Sequence, residues 1–243
     1  MCIILRVDNK ENNVGSRDRI KREKEQRREA IIKAAEKLFI KKGFEGTIMD
    51  EIARKCDLSK GALYLYFSTK EQLYQIIIHR AISEMFELVK HMQVGIESPM
   101  ERLRMVGEAY LRFYETHPDH FMILLRTSDH SYKKNVNDPE LKRIYEKHTD
   151  VWTLITEIIS DGIKDGTFRK DTNPIEIAIS LYATSTMIIQ LMDHHKRNQS
   201  IPDDDIFFNN IDFVQLYKNI GRRTILSILE NPPAQPEEME GFL

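Results

Sequence analysis

Between positions 57 and 67 the chain reads DLSKGALYLYF, which places Ser59, Lys60, Gly61, Tyr64 and Tyr66 within barely three helical turns. These are groups suited to a polyanion. The Lys60 ammonium can reach a phosphate or a guanine edge, the tyrosine hydroxyls can bond phosphate oxygens, and the missing side chain at Gly61 lets a backbone come close. Thr47 upstream and Lys70 downstream each stand at the expected start of a helix, where free backbone N–H groups beside a hydroxyl or ammonium suit a phosphate. Plainer roles stay open: Tyr64 and Tyr66 as half-buried packing residues, Lys60 as a solvated charge, Thr47 as a cap alone. Leu65 reads as packing rather than readout.

Charge is distributed in the same sense. Residues 17–80 hold 16 Lys and Arg against 10 Asp and Glu, a balance of +6, so the remainder carries −8 within a chain total of −2. A basic segment on an acidic body suits a polyanionic partner at one end only. Cys2 and Cys56 form no disulfide framework. With no secretory core and no window approaching the roughly 18 apolar residues of a membrane span, the expectation is a cytoplasmic protein.

The elements that must hold these groups read as helices. Residues 1–16 lack periodicity and are expected to be a flexible extension. From Ser16, the apolar positions Ile20, Ala30, Ile31, Ala34, Ala35, Leu38 and Phe39 recur at helical spacing until Gly43 stops the run. Thr47 is expected to cap a short second helix carrying Ile48, Ile52 and Ala53, and Ser59 a short third. Ser68 and Glu71 read as a capping box opening a long fourth helix to about Met92. Pro99, Pro118, Pro139 and Pro174 mark further helix starts, the last behind Asn173 as N-cap, and a final helix is expected near 211–229. The segment 196–210 reads as a loop and 231–243 as a disordered, proline-rich acidic tail. No strand alternation occurs.

Helix two, a tight turn and helix three have the length of a helix-turn-helix unit, in which a buried face holds the second helix while its other face lies in the DNA major groove. Ile52, Ala53, Leu58, Leu63 and Phe67 are spaced to pack inward, leaving Lys60, Gly61, Tyr64 and Tyr66 near the outside. The stretch resembles the DNA-binding domain of the tetracycline-repressor (TetR/AcrR) family of bacterial transcription regulators. Phe39, Gly43, Phe44, Thr47, Ile52, Ala53, Leu58 to Gly61, Leu63, Tyr64, Tyr66, Phe67, Lys70, Glu71 and Leu73 carry that resemblance in register. A weaker likeness lies in DGIKDGTFR, 161–169, which looks like the glycine-rich end of a long helix in the family's regulatory domain.

The resemblance implies an all-α fold of about nine helices, with domains at 17–67 for DNA binding and 68–230 for ligand binding and dimerisation. It also implies DNA contacts at Thr47, Ser59, Lys60, Gly61, Tyr64, Tyr66 and Lys70. Asp57 departs from the glycine usual in the family's turn. Aspartate tolerates the left-handed conformation better than most residues, so strain of about 1 kcal/mol is expected rather than a different fold.

In the body, Ile175 to Met192 is apolar on nearly every face, and Phe213, Leu216, Tyr217, Ile220, Ile225 and Ile228 make a broad stripe. The resemblance implies that these two helices pair with their copies in a homodimer. Physics adds a reason, since two recognition helices about 34 Å apart read successive major-groove faces of a palindrome. The bland alternative is that the stripes serve only the intramolecular core. Tyr110, Phe113, Tyr114, Phe121, Trp152, Thr184, Thr186 and Gln190 supply aromatic and polar groups that could line a ligand cavity, though each is as readily ordinary core. His117 and His120 stand at i, i+3, but without a third ligand at metal spacing no metal or other cofactor is expected. Nucleophile elbow, P-loop, HExxH and dinucleotide-binding patterns are all missing, which argues against an enzyme. The expected function is a repressor that a small molecule releases from a palindromic operator; an activator, or a regulator answering to a protein partner, remains an alternative.

Overall fold

The computed structural model describes residues 11–125, 139–197 and 211–230. Within them the chain forms nine helices: α1 Glu11–Lys42, α2 Met49–Lys55, α3 Lys60–Tyr64, α4 Lys70–Met92, α5 Pro99–Thr116, α6 Pro118–Leu125, α7 Pro139–Lys164, α8 Pro174–Arg197 and α9 Phe213–Leu226. Among the described residues the only strand-like pairing is a single antiparallel bridge between Phe168 and Leu229. The expected loop at 196–210 lies outside the described residues from 198 onward, as does the tail at 231–243.

Two compact units divide the chain, Met1–Ile77 and Ile78–Leu243. The expected boundary after residue 67 falls earlier, because α4 runs on unbroken from Lys70. The extension expected at 1–16 is helical from Glu11, where α1 begins. Residues 18–27 of that helix are exposed, and Arg19 pairs with Glu23 along it at 2.9 Å.

The core of the first unit is made by the residues whose spacing announced it. Ile31, Ile32, Ala35 and Phe39 from α1, Ile52 and Ala53 from α2, Leu63 and Phe67 around α3, and Leu73 of α4 are all buried. Gly43 ends α1 at φ 73°, donating its N–H to the Phe39 carbonyl at 2.8 Å, a left-handed stop that glycine adopts without strain. Phe39 and Phe44 both pack on Tyr74, each with ring centroids 4.9 Å away.

In the second unit, α5 packs against α6, α7, α8 and α9, and α8 packs against α7 and α9. One cluster gathers Leu111, Phe113, Tyr114 and Phe121 with Ile188, Ile189, Phe213 and Tyr217; a second gathers Leu103, Ile158, Ile159, Phe168, Ala178, Ile228 and Leu229. The 161–169 likeness acquires a structural meaning here. A Cβ on Gly162 would overlap the buried Phe168 ring, so glycine lets the chain fold back onto the end of α7. Arg169 N–H then donates to the Ile228 carbonyl at 2.8 Å and Glu230 N–H to Thr167 at 3.1 Å, fastening that turn to the segment after α9.

α8 corrects the expectation that no window is apolar enough for a membrane. It is long and apolar enough by composition to cross one, yet it packs on α7 and α9 through Ala178, Ile188 and Ile189. Ile175, Ile179 and Met187 are exposed on it, while Tyr182, also partly exposed, packs its ring on Trp152 at 5.3 Å. The α9 stripe behaves differently: Phe213 and Tyr217 are buried in the first cluster, with Leu216 and Ile220 half-buried against it.

Candidate functional site

The turn between α2 and α3 positions the candidate DNA face. Asp57 takes φ 54°, the left-handed conformation expected of it, and the Leu58 N–H returns to the Ala53 carbonyl at 2.9 Å. Ser59 caps α3, its oxygen accepting from Ala62 N–H at 3.2 Å. Leu63 and Phe67 are then driven inward, and Lys60, Gly61 and Tyr64 are left outside. A Cβ on Gly61 would meet nothing within 4 Å, so its face is open to a close approach. Tyr66 is half-buried. Leu65 is the surprise, at 82% exposed: α3 is only five residues long, and one turn cannot carry both Leu63 and Leu65 into the core.

Lys60 is exposed and paired with Asp50 across the turn at 2.9 Å, which raises its pKa through that hydrogen bond and the carboxylate's charge. The pair links the start of α3 to the first turn of α2, and a phosphate would compete with Asp50 for the ammonium.

Two of the expected contact residues make internal side-chain bonds. Thr47 is fully buried, and its hydroxyl donates to the Gly43 carbonyl at 2.8 Å. The residue at the N-cap of α2 is Ile48, extended and without a side-chain cap bond. Thr47 thus braces the turn after α1 and caps nothing. The Lys70 ammonium donates to the Phe44 carbonyl at 2.8 Å and lies 4.1 Å from the centre of the Phe44 ring, so it too secures the α1–α2 turn. The box that opens α4 is shifted by one residue. Thr69 caps the Gln72 N–H at 3.1 Å, and the Gln72 side chain reaches back to the Ser68 N–H at 2.9 Å; Ser68 and Glu71 do not play those parts.

The second unit contains a cavity of about 280 Å³ between α4, α5, α6, α7, α8 and α9. Of the eight residues proposed to line it, Tyr110 and Trp152 do. Phe113, Tyr114 and Phe121 are buried in the adjoining core instead, where aromatic bulk fills space rather than framing it. Tyr114 donates to Asp193 at 3.3 Å, and burial, reinforced by that carboxylate, pushes its phenol up to about 12. Thr186 meets the cavity only through its 2.8 Å bond to the Tyr110 hydroxyl, Thr184 donates back to the Ser180 carbonyl of its own helix, and Gln190 is half-buried away from the wall. Burial drives the Tyr110 and Tyr217 phenols well above their ordinary value, and the Tyr217 hydroxyl donates to the Gly107 carbonyl at 2.8 Å.

The sequence reading missed the floor of the cavity. Lys218, Gly221, Arg222 and Ile225 of α9 face it at i, i+3, i+4 and i+7, and Gly107 of α5 faces it from across. An arginine and a glycine sharing the apolar stripe of the last helix were the available signal. His120 Nδ1 lies 2.8 Å from Glu84 and His117 Nδ1 2.8 Å from the Thr116 hydroxyl. Among the described residues no group of three metal-type side chains converges.

Comparison with known proteins follows the same division. Residues 31–77 match the family of bacterial regulatory proteins named tetR, and residues 97–190 match the tetracyclin repressor-like C-terminal domain. The chain belongs to the TetR family. It is 35% identical over 106 residues to the uncharacterized HTH-type transcriptional regulator YerO of Bacillus subtilis, a match covering 43% of this chain and 36% of that one, so it spans little more than a third of that relative. Against the HTH-type transcriptional regulator QacR of Staphylococcus aureus it is 28% identical over 128 residues, covering 53% of this chain and 68% of the other. The structure of AibR in complex with isovaleryl coenzyme A and operator DNA shares the fold, with a TM-score of 0.59 and 21% identity over 84% of this chain and 98% of that one. These TetR relatives are transcription regulators, not enzymes.

Proposed function

We propose that this chain is a DNA-binding transcriptional repressor, released from a palindromic operator by a small molecule, working as a homodimer in the cytoplasm. The observation that carries the reading is the α3 face. Leu63 and Phe67 anchor a five-residue helix so that Ser59, Lys60, Gly61, Tyr64 and Leu65 stand exposed together, with Tyr66 at their edge. Lys60 supplies the charge for a phosphate or guanine, Tyr64 a hydroxyl and an aromatic face, and Gly61 the clearance. Ser59 contributes mainly by starting the helix where it does. Thr47 and Lys70 hold the preceding turn, so their part in binding is to position.

The dimer reading rests on α8. Ile179 is 53% and Met187 56% exposed, and covering the exposed half of such a side chain is worth about 1 kcal/mol. A second copy of the same face would cover it. The ligand reading rests on the cavity, whose wall includes Ile82, Met85 and Val89 of α4, the helix whose first residue, Lys70, donates to Phe44 in the α1–α2 turn. A ligand with different affinities for two dispositions of α4 would shift the population competent for DNA.

The test is selection of bound genomic fragments by the purified protein, followed by titration on the selected sequence at several salt concentrations. A palindromic site is expected, with affinity falling by about 0.9 in log-log slope for each phosphate contact. A protein that selects no sequence, or whose selected site binds Lys60→Ala and Tyr64→Ala as tightly as wild type, overturns the proposal.

A further inference from the structure

Among the described residues, the cavity wall carries a guanidinium with two nitrogens that no acceptor meets. Arg222 projects from α9 into the wall, and its Nε and Nη2 are closed off from solvent without a hydrogen-bond partner. A guanidinium presents donors in a rigid fork, and leaving them unmet in a low-dielectric site is expensive unless an acceptor arrives. The rest of the wall does not provide one. Of the other charged residues there, Arg104 is committed to Glu101 at 3.0 Å, Lys218 adds a second cation one turn before Arg222, and Glu108 bonds neither of the two closed-off nitrogens. Around these groups the lining is apolar, from Met85, Leu103, Leu124, Ile155 and Leu181. Two glycines keep the space open: a Cβ on Gly221 would meet nothing within 4 Å, and one on Gly107 only the Tyr217 hydroxyl at 3.8 Å.

We infer that the cavity binds an apolar organic acid, its hydrocarbon body against the aliphatic wall and its oxyanion on the Nε and Nη2 edge of Arg222. The inference rests on the ligand-responsive reading above and narrows it to one chemical class. Carboxylates and phosphate monoesters share the geometry that a guanidinium fork recognises, two oxygens side by side. A lipophilic cation would meet two positive charges, Arg222 and Lys218, against the one carboxylate of Glu108, and is disfavoured. A neutral alcohol would gain the apolar contact but leave the fork half met.

Trp152 is the only tryptophan in the chain and stands on the cavity wall with its ring centroid 5.3 Å from that of Tyr182, so its fluorescence reports occupancy directly. The probes are straight-chain carboxylates from hexanoate to dodecanoate, with the alcohols, alkyl phosphates and alkyltrimethylammonium ions of matching length, all below micelle formation. The expected result is saturable change with an acid series about ten-fold or more tighter than the alcohols, and the ammonium ions weakest. Stronger binding of carboxylates than of phosphates identifies the carboxylic acid as the head group, and the reverse identifies the phosphate ester. Arg222→Met should bring the acids to the level of the alcohols and raise the melting temperature of the free protein, while Arg222→Lys should keep part of the preference. Gly221→Phe should fill the space and abolish binding of every probe.

Equal affinity for acids and alcohols overturns the inference, as does an acid preference that survives Arg222→Met, or silence of Trp152 to all four series. Release of selected DNA is scored alongside. Alcohols that release DNA as well as acids do would remove the anion and leave the ligand-responsive regulator standing. Acids that bind at Arg222 yet never change DNA affinity would keep the anion and remove that regulator.

Discussion

Among the described residues, α3 and α8 each expose side chains that the fold does not cover, and the chemistry of the two sets is opposite. α3 is a single turn held by Leu63 and Phe67, and most of what it exposes is an ammonium, a phenol and bare backbone, with Leu65 the apolar exception. α8 is a 24-residue helix held by Ala178, Ile188 and Ile189, and it exposes Ile175, Ile179 and Met187. Water solvates the first face well enough for it to await a polyanion. It solvates the second poorly, so that face calls for a permanent apolar partner. The same degree of exposure thus means a transient contact in one unit and a standing interface in the other.

The comparison breaks most visibly if the anchors of α3 are dispensable. Phe67→Ala should destabilise the protein by about 3 to 5 kcal/mol in chemical denaturation, because it empties the core beneath a helix too short to form alone. On α8 the paired change Ile179→Glu and Met187→Glu should act on assembly instead. Sedimentation is expected to show the dimer dissociation constant rising at least about a hundred-fold, since each of the four new charges in a dimer opposes about 1 kcal/mol of apolar burial. A double variant that stays dimeric would move the interface elsewhere. Lys60→Ala should leave the melting temperature unchanged, since its ion pair with Asp50 is exposed, and lower the salt slope of operator binding by about 0.9. Asp57→Gly should stabilise by about 1 kcal/mol or less, relieving the left-handed aspartate without touching the DNA face.

The smallest expected effect is on pH dependence. Hydrogen bonding from Lys42 holds the Glu51 carboxyl below its ordinary value. A depressed carboxyl contributes stability that is present above its unfolded value and lost as pH falls through the folded one. Wild type should therefore lose slightly more stability than Lys42→Met on acidification below the ordinary glutamate range, as followed by denaturation midpoints.

Much of the fold was legible because local rules and tertiary packing agree. Apolar spacing marked α1, prolines marked the starts of α5 to α8, and Gly43 and Asp57 occupy the left-handed positions their types suggested. The candidate site was half legible. Lys60, Gly61 and Tyr64 stand outside as their spacing implied, whereas Thr47 and Lys70 turned inward. Both are residues whose polar atoms serve a backbone carbonyl as well as they would serve a phosphate, and type alone does not say which acceptor is nearer. The cavity was least legible. Phe113, Tyr114 and Phe121 have the composition of a pocket wall, but so does any aromatic core.

What the sequence determined by itself, then, is the set of helices, the turn that joins α2 to α3, and the identity of the side chains offered on α3, because capping, periodicity and backbone conformation act within a few residues. Which polar groups are spent internally, which side chains of α8 are exposed, and that two Arg222 nitrogens on the cavity wall are covered without a hydrogen-bond partner were decided only by tertiary structure. Those outcomes depend on distances between residues far apart in the chain, and packing sets such distances where no local preference reaches.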